Sequence, residues 1–177
     1  MTEPSYPNAP SQTCFQDGLE YQDFICQFLA PYGIILQNYS SKKYQQEIGE
    51  NKQGFEIKLD RGCVKYGHLS IEVAEKSYAN CPVWTPSGIY RNDNSWFYIQ
   101  GNYEIIFMFA KNFLRQWKEE KNVPIGDRTP TVQSFFLEFD VAKKHEIKYF
   151  ETGIRTTPRY KKDPVNDLWI PDTEGLP

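Results

Sequence analysis

Two short stretches of this 177-residue chain set acids and lysines at alternate positions. In GFEIKLDR, Glu56, Lys58 and Asp60 alternate with Phe55, Ile57 and Leu59. In LSIEVAEKS, Glu72, Ala74 and Lys76 share one parity, while Glu75 falls on the other. Every second side chain of a β-strand lies on one face, so each stretch aims its charges to one side. If the two faces coincide, three carboxylates and up to two lysines converge. Carboxylates grouped without histidine or cysteine suit a hard, oxygen-seeking cation such as Mg²⁺. Such an ion activates water and stabilises charge developing on a phosphoryl oxygen. A lysine beside it can position the water or neutralise phosphate. The competing account is an ordinary half-buried strand with its charges in water, paired across to its neighbour.

The elements that must hold these strands are legible around them. Phe24, Ile25, Phe28, Leu29 and Tyr32 recur at helical spacing, and Pro31 and Gly33 end that helix. Asp17 and Glu20 have capping-box spacing, which predicts a helix start near Asp17 and accounts for Glu20. Residues 34–39 predict a strand, and 42–47 a polar stretch in which Glu47, like Glu50 beyond it, is expected in solvent. Residues 55–60 and 68–76 are the two charged strands. Residues 77–94 read as a loop. Gly101-Asn102 turns a hairpin between 96–100 and 104–110. A helix over 111–121, a loop over 122–131, a strand over 132–139 and a helix over 141–150 complete the order. Helices and strands mixed in this way predict a single α/β or α+β domain over 17–157. Residues 1–16 read as a loose arm. Residues 158–177, with four prolines, read as an extended tail pinned by Leu168, Trp169 and Ile170.

Composition narrows the function. Net charge is −3, which argues against coating nucleic acid by bulk charge. The charge is uneven, since residues 141–162 hold seven lysines and arginines against two glutamates. Lys143, Lys144 and Lys148 in that strip could clamp phosphates, or simply form the wet face of a helix packed by Val141 and Ile147. Tyr90, Arg91, Asn92, Asn94 and Trp96 could touch backbone or bases. The ordinary alternative, a plain loop with Trp96 turned into the core, is preferred. Cys14, Cys26, Cys63 and Cys81 form no CxxC pair, and with two histidines a zinc site is not expected. Reduced thiols in a cytoplasm fit best. The longest apolar run, 105–110, is too short to cross a bilayer, and the first residues show no signal peptide.

The stretch from Gly18 to Trp117 resembles the PD-(D/E)xK nuclease superfamily. The resemblance is carried by GLEYQDFICQFLAPYG, GFEIKLDR, LSIEVAEKS, PSGIYRNDNSWFYIQGNYEIIFMF and KNFLRQW. In that family a first helix often offers a glutamate, one strand carries an acid, and the next carries Glu-x-Lys. A loop with Ser-Gly, a strand pair and a helix follow. The resemblance implies a restriction-endonuclease-like central mixed β-sheet flanked by helices. It implies a Mg²⁺-dependent (or Mn²⁺-dependent) endonuclease that hydrolyses DNA. Asp60 and Glu72, with Glu56, would be metal ligands. Lys76 or Lys58 would orient the attacking water, and Glu20 would hold a metal-bound water. Arg91, Lys143, Lys144 and Lys148 are candidate DNA contacts. The sequence departs from the family pattern at Ala74, where Glu-x-Lys would need lysine. A nuclease cutting both strands often pairs two copies, so a homodimer is a candidate partner beside DNA. The alternative function is a non-catalytic interaction or nucleic-acid-binding protein on the same scaffold.

Overall fold

Residues 105–110 are apolar at every position, and the computed structural model of the protein covers both of their faces. It describes residues 12–39, 42–154, 159–162 and 169–172. In chain order the elements are α1 (Gln12–Leu29), α2 (Lys42–Glu47), β1 (Phe55–Leu59), α3 (Cys63–Tyr66) and β2 (His68–Glu75). Then come β3 (Thr85–Pro86), β4 (Phe97–Gly101), β5 (Ile105–Ala110), α4 (Lys111–Glu120) and β6 (Gly126–Thr129). The last are β7 (Val132–Glu138), α5 (Phe139–His145), β8 (Lys148–Glu151), β9 (Arg159–Lys162) and β10 (Trp169–Asp172). The chain is α+β, as the sequence predicts. Its strands form two four-stranded sheets, ordered β1-β4-β5-β8 and β3-β2-β7-β6, with β9 and β10 as a separate antiparallel pair. β1 runs parallel to β4; the other neighbours are antiparallel.

The first sheet is the middle layer. Tyr21, Ile25 and Leu29 of α1 pack on one of its faces, against Phe55, Ile57, Ile99, Ile106 and Met108. On its other face, Tyr98, Phe107 and Phe109 pack against Leu69, Ile71, Val73, Phe135 and Leu137 of the second sheet. Leu114 of α4 and Ala142 of α5 join that core. Strands in the middle of such a stack are buried on both sides, which is why β5 is uniformly apolar. β1 is an edge strand. Its apolar residues face α1, so Glu56 and Lys58 point toward the second sheet, in register with Tyr98 and Gln100 of β4.

Several boundaries differ from the sequence reading. α1 begins at Gln12, inside the expected arm, so Asp17 is a helical residue and no capping box forms. Residues 34–39 make only a single bridge, Asn38 to Asn51, because no strand lies alongside them. Lys42–Glu47 is helical. Gly126–Thr129, expected as loop, pairs with β7 as an exposed edge strand. The expected helix over 141–150 is α5 followed by β8, which joins β5 at the far edge of the first sheet. Trp169 and Ile170 lie in β10, paired with β9, while Leu168 falls outside the described residues. No described helix is long and apolar enough to cross a membrane.

Candidate functional site

β1 and β2 follow one another in sequence but lie in different sheets. They are therefore not the adjacent strands that the alternation suggests. Their charged faces still meet, because the polar side of β1, the edge strand of the first sheet, lies on the face that packs against the second sheet. The Lys58 ammonium lies 3.2 Å from Glu56 Oε1 and 3.6 Å from Glu72 Oε2. The other Glu56 oxygen lies 3.0 Å from Lys111 Nζ, which also stands 3.1 Å from Asp93 Oδ1 and donates to the Ser95 hydroxyl. Ser87, in the loop before a 3-10 turn (Gly88–Tyr90), donates its hydroxyl to Glu72 Oε1. Arg91 Nη2 reaches Glu75 Oε1 at 3.7 Å. Glu50 is buried, and its Oε2 accepts the Ile57 amide at 2.7 Å.

The network is fixed by backbone features that surround it. Asn51 holds both the amide and the carbonyl of Phe55 through its side chain, so the turn into β1 is rigid. Asn94 binds the Asn51 carbonyl and ties the 92–96 loop to that turn. Lys111 is the first residue of α4, directly after β5. Its side chain is 1% exposed because it turns back under the 91–95 loop.

Burial and charge set the protonation of the group. Burial pushes the Glu50 carboxyl up to about 7, with Glu56 adding to the rise and Lys58 opposing it. Burial alone would raise Glu72, but Lys58, the Ser87 hydroxyl and Arg91 hold it below the ordinary carboxylate value. Burial would likewise deprotonate Lys58, yet Glu72, Glu56 and Glu50 hold its ammonium well above the usual lysine range. Asp93 is kept below its ordinary value, against its burial, by Ser95 and Lys111. Glu50, Glu56, Glu72, Glu75 and Asp93 thus face Lys58, Arg91 and Lys111. Acids outnumber cations, and Glu50, raised by burial, titrates at about 7.

Glu50, Lys58, Glu75 and Arg91 of this group line a cleft of about 470 Å³ between α1, β1 and the second sheet, while Glu56 and Lys111 are buried behind it. Glu50 and Lys58 form part of its floor, with Glu75 and Asp17 on its walls. Arg61, Arg91 and Arg128 line it as well, drawn from three separate loops and strands. A cleft with cations around a carboxylate floor suits a polyanion whose reacting phosphate must sit near acids.

The predicted residues divide as follows. Glu56, Lys58 and Glu72 come together, and Arg91 lines the cleft beside them. Asp60 is held apart from Glu72 by partners of its own. It accepts from the Ser70 amide at 2.8 Å and from Gln100 Nε2 at 3.0 Å, and pairs with Arg128 at 3.1 Å. Asp60 and Glu72 share no partner. Lys76 lies past the end of β2 with its ammonium 4.3 Å from the centre of the Trp84 ring. A bulge between Glu72 and Ala74 breaks the alternation there, so Glu75 reaches the cleft instead. Glu20 is exposed and accepts from Gln16; Asp17, Gly18 and Gln22 are the α1 residues that line the cleft. Lys143, Lys144 and Lys148 are exposed around α5 and β8, on the opposite edge of the first sheet from β1. Trp96, expected in the core, is 71% exposed. Glu47 is exposed as expected, whereas Glu50 is buried.

Sequence reasoning missed Glu50, Asp93, Lys111, Arg61 and Arg128. The one available signal was Glu56-Ile57-Lys58, a Glu-x-Lys on β1 itself, sought instead on the following strand. Among the described residues, no group of three or more His, Cys, Asp and Glu side chains is placed to hold a metal ion. No family model, curated protein or solved structure matches the chain.

Proposed function

We propose that the protein is a magnesium-dependent endonuclease hydrolysing phosphodiester bonds in DNA, with Glu50, Glu56, Lys58 and Glu72 as its reacting group. One observation carries this reading. Lys58, in a cleft lined by three arginines and Glu50, has its ammonium 3.2 Å from Glu56 and 3.6 Å from Glu72, two carboxylates set behind it. The donors are carboxylate oxygens of the kind a hard cation takes, but Lys58 occupies the space between Glu56 and Glu72, so the ion would have to displace its ammonium. Glu56 and Glu72 would hold Mg²⁺, which supplies an acidified water and charge neutralisation at the phosphate.

The chain's own groups do the rest. Lys58, held firmly cationic, cannot act as a base; it orients water and donates to a phosphate oxygen. Glu50, with a carboxyl near 7 and one oxygen fixed by the Ile57 amide, is matched to accept the water's proton at neutral pH. Arg91, Arg61 and Arg128 bind flanking phosphates. Asp60 takes no part, because it pairs with Ser70, Gln100 and Arg128 and meets none of Glu56, Lys58 and Glu72. The thiols of Cys26, Cys63 and Cys81 are unpaired, which accords with a reducing cytoplasm.

A second reading, a non-catalytic nucleic-acid-binding or interaction protein on the same scaffold, is favoured by one feature. Lys58 already stands between Glu56 and Glu72, closing the charge network on itself. Cleavage of supercoiled plasmid and of single-stranded circular DNA with Mg²⁺, with and without EDTA, separates the two readings. The nuclease reading expects EDTA-sensitive cutting of at least one of them that Glu72→Ala abolishes while the fold persists. Equal cutting by Glu72→Ala would remove Glu72 from the reacting group, and no cutting of either substrate with Mg²⁺ or Mn²⁺ would favour the second reading.

A further inference from the structure

Beyond Arg128 the cleft continues into a second hollow of about 430 Å³ on the outer face of the second sheet. Tyr66, His68 and Phe136 line it together with Ser70 and Asp127. The aromatic rings form a row. Tyr66 and His68 stack at 5.9 Å with 16° between their planes, and His68 meets Phe136 at 4.5 Å with the planes tilted by 54°. This row is not core packing. Phe135 and Leu137 take the buried face of β7, which leaves Phe136 on the outer face, where it is 47% exposed; Tyr66 is 61% exposed. Two large rings on the wet side of a small domain are a surface made for a flat partner.

The surroundings indicate which partner. Arg128 lines both the cleft and the hollow, so a chain of phosphates can pass from one to the other. The Lys65 ammonium lies 5.1 Å from the centre of the Tyr66 ring. β9, whose sequence is Arg-Tyr-Lys-Lys, runs beside α3. The two acids at the hollow are engaged, Asp60 with Arg128 and Asp127 with Gln133. Ser70 is 5% exposed and lines the hollow, and its hydroxyl has no hydrogen-bond partner. A buried hydroxyl without a partner is costly unless a ligand group meets it.

We propose that Tyr66, His68 and Phe136 form a stacking platform for an unpaired nucleobase, with Arg128 holding the adjoining phosphate. Bases in a duplex already stack on one another, so only a single strand or a frayed end presents a free face. Single-stranded DNA is then the substrate class of the cleft, a conclusion that rests on the nuclease reading of Glu56, Lys58 and Glu72.

The test is fluorescence anisotropy of the full chain with a short labelled oligothymidylate and a duplex of equal length, in EDTA so that nothing is cut. The platform predicts tighter binding of the single strand than of the duplex. It predicts a loss of roughly tenfold or more in single-strand affinity in the Tyr66→Ala/Phe136→Ala protein. Duplex affinity should stay unchanged, and Phe136→Tyr should keep single-strand affinity. Tyr66→Ala alone, at the more exposed ring, serves if the double variant melts early. Single-strand affinity within about twofold of wild type in folded variants overturns the platform, as does a wild-type preference for duplex. The two proposals fail separately. Ring-dependent single-strand binding without any Mg²⁺-dependent cutting would sink the nuclease reading alone. Cleavage of duplex indifferent to the rings would sink the platform alone.

Discussion

Glu50 holds a proton up to about 7, against an ordinary value of 4.5, because its carboxyl is buried beside Glu56. Between those values the folded chain binds a proton that the unfolded chain has released. Stability should therefore fall as pH rises through that window and level off above it. Glu72 and Asp93 act oppositely and lower down. Their contributions are present above the ordinary carboxylate values and are lost as pH falls through their depressed ones. Urea unfolding should show a maximum near pH 5, and Glu50→Gln should abolish the decline above it, gaining up to about 3 kcal/mol at alkaline pH. An unchanged slope in that variant would mean that Glu50 is ionised in the fold. Lys111 gives the complementary case. It is 1% exposed between Glu56 and Asp93, so Lys111→Met leaves Asp93 without its cation and Glu56 with Lys58 alone. The expected loss is about 3–5 kcal/mol in chemical denaturation, far above that of a surface lysine. Neither residue was legible in the sequence. Glu50 stands among polar neighbours, and Lys111 opens an amphipathic helix; nothing local shows that a loop or a second sheet will cover them.

At the scale of elements, a two-residue period located β1 and β2, and the Gly101-Asn102 turn located β4 and β5 on either side of it. Alternation could not tell which face is covered. The polar side of β1 was compatible with water, and the structure turns it under the second sheet. The period also failed at the bulge in β2, where one extra residue brings Glu75 to the cleft and leaves Lys76 against Trp84. The 3-10 turn after Ser87 is the element that fixes Glu72. Gly88 has φ +50, and a Cβ there would lie 2.2 Å from the Glu72 carbonyl oxygen. Gly88→Ala should cost on the order of 1–3 kcal/mol and displace the Ser87 hydroxyl from Glu72. Thermal melting and nicking activity should fall together. A variant that melts like wild type would show that the turn yields without disturbing β2.

At the scale of the whole molecule, the candidate site lies where the edge strand β1 of the first sheet meets β2 of the second. That arrangement explains both what could be read and what could not. Glu56, Lys58 and Glu72 lie on strands of clear periodicity, and so were legible. Arg61, Arg91 and Arg128 come from positions far apart in sequence and meet only through the packing of α1, the first sheet and β6. Asp60 shares the parity of Lys58, yet it follows the end of β1, where Ser70, Gln100 and Arg128 capture it. The most direct test compares two carboxyl-to-amide changes in one Mg²⁺-dependent cleavage assay, with circular dichroism confirming the folds. Glu56→Gln should abolish cutting, and Asp60→Asn should still cut, at some cost in melting temperature. Cutting by Glu56→Gln, or its loss in a well-folded Asp60→Asn protein, would contradict the placement of the reacting group on β1.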